Sequence, residues 1–173
     1  MNIHIKYLTL GILLTICQIL LSEYVNIWPV LYIAIFPQFI ILLPPSTNRS
    51  LHMSIAFVLG MAIDIFADGV LGLNAAALTA MAYFRPMAMK LVFSRAGLEN
   101  MENEPLLPKN ADILKLLLLD VLMLLIFFTV YVVLDSAGTL PLWYAALKIT
   151  LCIAINCIIY TICSIALYEK FLR

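Results

Sequence analysis

Apolar positions along the chain fall in six runs, each closed by a polar, proline or glycine break. They cover about 6–22, 28–43, 50–67, 70–90, 112–134 and 143–168. A helix needs about 20 apolar residues to cross a hydrocarbon core about 30 Å thick. The pattern therefore predicts an all-α integral membrane protein with six transmembrane helices in a single domain, 1–173. The second run is short and carries Pro37, which predicts a kink or a tilt; neighbouring helices can satisfy the carbonyl that a proline frees. Outer turns have only a few residues. The one long connection, about 95–111, reads "RAGLENMENEPLLPKNA", and its acids, Pro105 and Pro108 predict a solvated loop.

Composition sharpens this picture. The 173 residues are 65% hydrophobic and 12% charged, and the mean hydropathy is +1.08, values that belong to the membrane class. Ten basic and ten acidic residues cancel, so bulk charge points to no nucleic acid or other charged partner. Cys17, Cys152, Cys157 and Cys163 lie within apolar runs without CxxC or His–Cys spacing, which argues against a metal site or a disulfide framework. The basic, apolar start lacks a small-residue cleavage site and is read as a retained first span.

Charge asymmetry orients the six spans. Lys6, Arg49, Arg85, Lys90, Arg95, Lys109, Lys115, Lys170 and Arg173 fall on one side; Glu23, Asp68 and Asp135 fall on the other. Both termini are thus expected in the cytoplasm. Trp28 and Trp143 sit at the outer boundary, where interfacial aromatics belong.

Intramembrane polar residues sort by depth at 1.5 Å per helical residue. Gln18, Asp64, Asn74 and Lys148 come from four different runs, yet all fall roughly 6–8 Å beneath the outer surface. They predict one outer polar layer. Intramembrane charges usually face the bundle interior and pair, so Asp64 with Lys148 is the favoured pair. The other reading has Lys148 snorkelling to the headgroups and Asp64 as a hydrogen-bonded structural acid. An inner group comprises Gln38, Arg85 and Asp120. Asp120 is within reach either of Arg85 or Lys90, or of the Tyr160 and Thr161 hydroxyls.

The stretch "GMAIDIFADGVLGLN", 60–74, places Gly60, Asp64 and Asp68 on one helix face with Ala56. Ala76 and Ala80 give the next helix a similar small face, and small residues let membrane helices approach closely. Gly69 and Gly72 then supply a tight turn, glycine permitting positive φ. The stretch predicts a close-packed helical hairpin with Asp64 directed inward.

Catalysis would need a nucleophile with a base, a metal cluster or a carboxylate pair in a pocket. His4 and His52 lie far from the outer layer, and no HExxH, GxSxG, Walker or Rossmann pattern occurs. The chain is expected to be no enzyme and to use no cofactor or metal. A transporter remains the runner-up, because intramembrane acids often mark ion paths.

The segment "LGMAIDIFADGVLGLNAAALTAMAYF", 59–84, resembles the rod-shape-determining MreD family of bacteria. A glycine ahead of an aspartate (Gly60, Asp64), a short turn with a Gly-Leu pair (Gly72-Leu73) and an alanine-rich helix carry the likeness. Length, span number and the long connection before the fifth span agree with it; the acidic connection at 99–108 and Lys148 are not part of that pattern. The resemblance implies a scaffold of cell-wall elongation in the bacterial inner membrane, with a bundle like the substrate-binding subunits of energy-coupling-factor vitamin transporters. The implied partners are a single-span MreC-type protein, MreB filaments, RodA and a class B penicillin-binding transpeptidase. Gly60, Asp64, Asp68, Gly69, Gly72 and Asn74 would shape the hairpin.

Overall fold

The computed structural model describes residues 3–24, 31–101, 105–108, 111–137 and 139–165. The fold is all-helical over these residues. In chain order it comprises α1 (Ile3–Tyr24), α2 (Pro37–Leu42), α3 (Arg49–Ile63) and a wide turn (Asp64–Asp68), then α4 (Leu73–Val92), α5 (Arg95–Asn100), α6 (Ile113–Asp135) and α7 (Leu142–Cys163). The hairpin α3–α4 packs through α4 onto α6, and α6 in turn packs against α7.

Three helical stretches are long and apolar enough to cross a membrane: Arg49–Ala67, Ile113–Asp135 and Leu142–Cys163; Lys6–Ser22 is a shorter apolar helix. Apolar side chains cover the outside as well as filling the core. Leu8, Ile12, Ile16 and Leu20 of α1, Leu114 and Leu118 of α6, and Ile158 and Ile162 of α7 are exposed, whereas Gln18, Gln38, Asp64, Asn74, Arg85, Asp120, Lys148 and Asn156 are buried. Single exposed apolar residues are ordinary on soluble proteins, but many of them outside an apolar core that also holds charged side chains suit a surrounding hydrocarbon.

Two expectations are corrected. The predicted second span, 28–43, is not one helix: residues 31–36 run without helical structure and only Pro37–Leu42 coils. Proline at the first helical position has φ already set and no N–H to lose, so it starts a helix readily. Pro44 and Pro45 follow its end. Residues 25–30, including Trp28, lie outside the described part. The connection at 95–111 is also not simply solvated. It begins with α5, and Met101, Leu106 and Leu107 are buried, with the Leu106 N–H reaching the Leu42 carbonyl at 3.4 Å.

Candidate functional site

The site starts from a local failure of the helix. After α3 the backbone widens, the Gly69 N–H bonding to the Asp64 carbonyl five residues back at 3.0 Å. Such one-turn widenings mark functional positions in many helices. Gly69 and Gly72 then take φ of +70° and +93°, and α4 begins with Gly72 as its cap residue. Glycine has no side chain with which to satisfy the first N–H groups of a helix. Asp64 supplies the missing acceptor from across the turn. Its Oδ2 accepts from the Gly72 N–H (2.9 Å) and the Ala75 N–H (3.1 Å); its Oδ1 accepts from the Asn74 N–H (2.8 Å) and Asn74 Nδ2 (3.0 Å). The carboxylate is fully buried and lies at the positive end of the α4 dipole. Four donors and that dipole hold the charge without a cation.

Gly60 makes this approach possible. A Cβ there would lie 2.5 Å from Ala75 Cα and 2.6 Å from Ala75 N, so the two helices touch backbone to backbone, as the sequence predicts. The Asp68 side chain lies outside the described part.

The favoured Asp64–Lys148 pair does not form. Lys148 Nζ bonds to Asp135 Oδ2 at 3.0 Å, linking the start of α7 to the end of α6. The hydrogen-bonded structural acid is the arrangement found for Asp64, and Lys148 reaches outward to a partly exposed acid. Asn74 has a further contact: the Tyr32 hydroxyl meets its Oδ1 at 3.3 Å, and the Tyr32 ring stacks on Tyr131 with centroids 4.7 Å apart.

Gln18 takes a role that sequence reasoning missed. Residues 32–35 lie in no helix, and backbone groups buried away from water must find partners. Two amide side chains clamp the segment from opposite helices. Gln18 of α1 donates to the Ile33 carbonyl (2.9 Å) and accepts from the Ile35 N–H (2.8 Å). Asn156 of α7 donates to the Tyr32 carbonyl (2.9 Å) and accepts from the Ala34 N–H (2.8 Å). The Tyr160 hydroxyl adds a bond to the Ala34 carbonyl (2.8 Å), and the Tyr32 N–H meets Cys152 Sγ at 3.4 Å. The amides imitate the pairing of a β-ladder. A lone asparagine within the apolar run 143–168 was the available signal.

The inner residues do not form one cluster. Gln38 donates to the Tyr160 carbonyl (2.8 Å) and to Ser164 Oγ (2.9 Å). Arg85 donates to the Ile41 carbonyl (3.2 Å), the Leu43 carbonyl and His52 Nε2 (3.2 Å). No hydrogen bond or ion pair reaches Asp120 among the described residues. Of its expected partners, Arg85 is committed elsewhere, Tyr160 bonds to Ala34, and Thr161 bonds to the Cys157 carbonyl.

Three hollows flank this framework. A polar cavity of about 240 Å³ lies at the end of the bundle that carries the Asp64 turn, lined by Gln18, Ser22, Tyr32, Tyr131 and Asp135 among others. An apolar groove of about 450 Å³ runs along the hairpin, floored by Gly72, Ala75, Ala76 and Ala80 and walled by Met53, Phe57 and Tyr83. Thr79 also lines it, and its buried hydroxyl has no partner among the described residues. The third cavity, about 290 Å³, opens beside Arg85. Among the described residues no group of three or more His, Cys, Asp or Glu side chains could hold a metal. No protein-family model, curated protein or solved structure matches the chain.

Proposed function

We propose that the chain is a non-enzymatic scaffold of bacterial cell-wall elongation, of the MreD kind. It would cross the inner membrane six times, with residues 31–42 as an irregular second crossing, both termini in the cytoplasm and a bundle like the vitamin-transporter substrate subunits. The observation that carries this reading is the groove on α3–α4. Its small-residue floor would admit a partner helix closely. The Asp64 lock keeps that face rigid. The occupant is then the single membrane helix of an MreC-type protein, with RodA, MreB and the transpeptidase as further associates.

The test is mild-detergent affinity purification of the tagged chain from its own host, with mass spectrometry of what accompanies it. Recovery of the MreC-type protein, RodA or the transpeptidase supports the scaffold, and Ala76→Leu, which fills the groove, should then abolish recovery at unchanged protein level. Recovery that survives Ala76→Leu would move the docking face elsewhere.

The outer cavity favours a second reading, a substrate-binding subunit of a vitamin-type transporter, with Gln18, Tyr32 and Asp135 as substrate contacts. Co-purification of ATP-binding-cassette subunits, and a nutrient requirement without a shape defect on deletion, would support it over the scaffold.

A further inference from the structure

The third cavity lies at the opposite end from the Asp64 turn, where α3 starts and α4 ends. Pro45, Ser46, Thr47, Pro86, Met89 and Leu98 form much of its wall, with His52, Arg85, Lys90 and Glu99 as its ionisable groups. Arg85 is 2% exposed. Its three hydrogen-bond partners are two backbone carbonyls and His52 Nε2. An arginine can only donate, so His52 Nε2 must accept. The His52 proton therefore sits on Nδ1, which faces the Asn48 carbonyl at 3.3 Å, and the ring is neutral. No acid lies within 4.0 Å of Arg85 among the described residues, and its Nε has no partner there. A buried cation without a counter-charge is costly, and such charges normally pair. Lys90 adds a second, exposed cation at the rim. Among the described residues Glu99 is the one carboxylate there; it is exposed and makes no ion pair with either cation.

We propose that this cavity binds a phosphate group. Arg85 and Lys90 hold the anion, and the proline, methionine and leucine walls take whatever apolar body is attached to it. The planar donor array of arginine suits phosphate oxygens, and the volume of about 290 Å³ is just under the share of roughly ten waters at about 30 Å³ each, room enough for a phosphate group. A phospholipid headgroup and a free phosphate present the same chemistry. This inference does not rest on the scaffold reading.

The experiment follows thermal unfolding of the purified full chain in a neutral mild detergent during titration with three probes: dioleoyl phosphatidylglycerol, inorganic phosphate and dioleoylglycerol. Saturable stabilisation by the phospholipid, with none from dioleoylglycerol, is expected. Lys90→Gln should weaken the apparent affinity ~fivefold, the effect of one basic residue near an anionic surface, and Glu99→Gln should strengthen it. Arg85→Met should abolish it if that variant folds; the opposite shifts of the two rim variants decide the matter if it does not. Lys115→Gln is the control, since Lys115 is exposed outside the cavity. Equal protection by inorganic phosphate at similar concentration would support the site and assign it to free phosphate. Equal protection by dioleoylglycerol, loss in Lys115→Gln as large as in Lys90→Gln, or unchanged affinity in both rim variants would overturn the proposal.

Discussion

Asp64 caps a helix whose cap residue lies eight positions after it, its Oδ2 accepting the Gly72 N–H at 2.9 Å. The chain between them is a wide turn and two glycine-permitted bends, so the carboxylate and the start of α4 form one closed unit. Asp64→Ala strands four donors in a buried site at once. Removing one side of a buried, charge-assisted network costs about 3–5 kcal/mol. Thermal unfolding in mild detergent should show a large loss, with Asp64→Asn falling between, because its amide turns a donor toward donors. If the chain is the proposed scaffold, Asp64→Ala cells should also lose rod shape. A wild-type melting temperature for Asp64→Ala would sink the lock.

Gly60 is required for a different reason. Its Cβ would meet Ala75 Cα at 2.5 Å, Ala75 N at 2.6 Å and the Asn74 carbonyl carbon at 2.8 Å, all backbone atoms that cannot rotate away. Gly60→Ala should therefore part α3 from α4 and destabilise by about 1–3 kcal/mol, the usual cost of overpacking. Gly97→Ala is the matched control, since its Cβ would meet only the Ser94 hydroxyl at 3.3 Å and Met101 Cε at 3.9 Å. Equal stability of the two variants would show that the helices yield.

Asn156 and Gln18 hold residues 32–35 in place of a helix. Asn156→Leu keeps the volume close to the original but leaves the Ala34 N–H without its side-chain acceptor and removes a donor to the Tyr32 carbonyl. Each buried group so abandoned costs about 1–3 kcal/mol. Gln18→Leu should act on Ile33 and Ile35 in the same way. Because both amides secure one segment, the double variant should cost less than the sum. Hydrogen exchange at Ala34 and Ile35 should rise in either variant; protection retained in both would mean that the clamp is not what orders the segment.

The helical framework was legible wherever apolar length was unambiguous, as in α6 and α7, and so was the close hairpin, because Gly60 and the alanines leave so little side chain. Asp64 could be flagged as buried but not assigned a partner. Depth along an axis puts it level with Lys148, yet says nothing of azimuth, and the actual acceptor need was hidden in an α4 start that lacks a capping side chain. The second run misled because hydropathy reports burial and not conformation. Residues 31–36 are as apolar as a helix should be, and their extended path depends on Asn156, more than 120 positions away. Arg85 was misplaced for a similar reason: two of its three partners are backbone carbonyls, which no sequence pattern displays.

Lys148 and Asp135 offer the cleanest contrast between level and contact. Their side chains are 10% and 39% exposed and 3.0 Å apart, so the pair is partly screened. Partly exposed ion pairs contribute about 0–1 kcal/mol, and Lys148→Met alone should shift stability by no more than that. A double-mutant cycle separates the two possible partners. Lys148→Met with Asp135→Asn should be non-additive, since each removes the same contact. Lys148→Met with Asp64→Asn should be additive within about 0.5 kcal/mol, as residues without shared partners are. Coupling to Asp64 and none to Asp135 would mean that Lys148 turns inward in the bilayer, joining the α4 lock to α7.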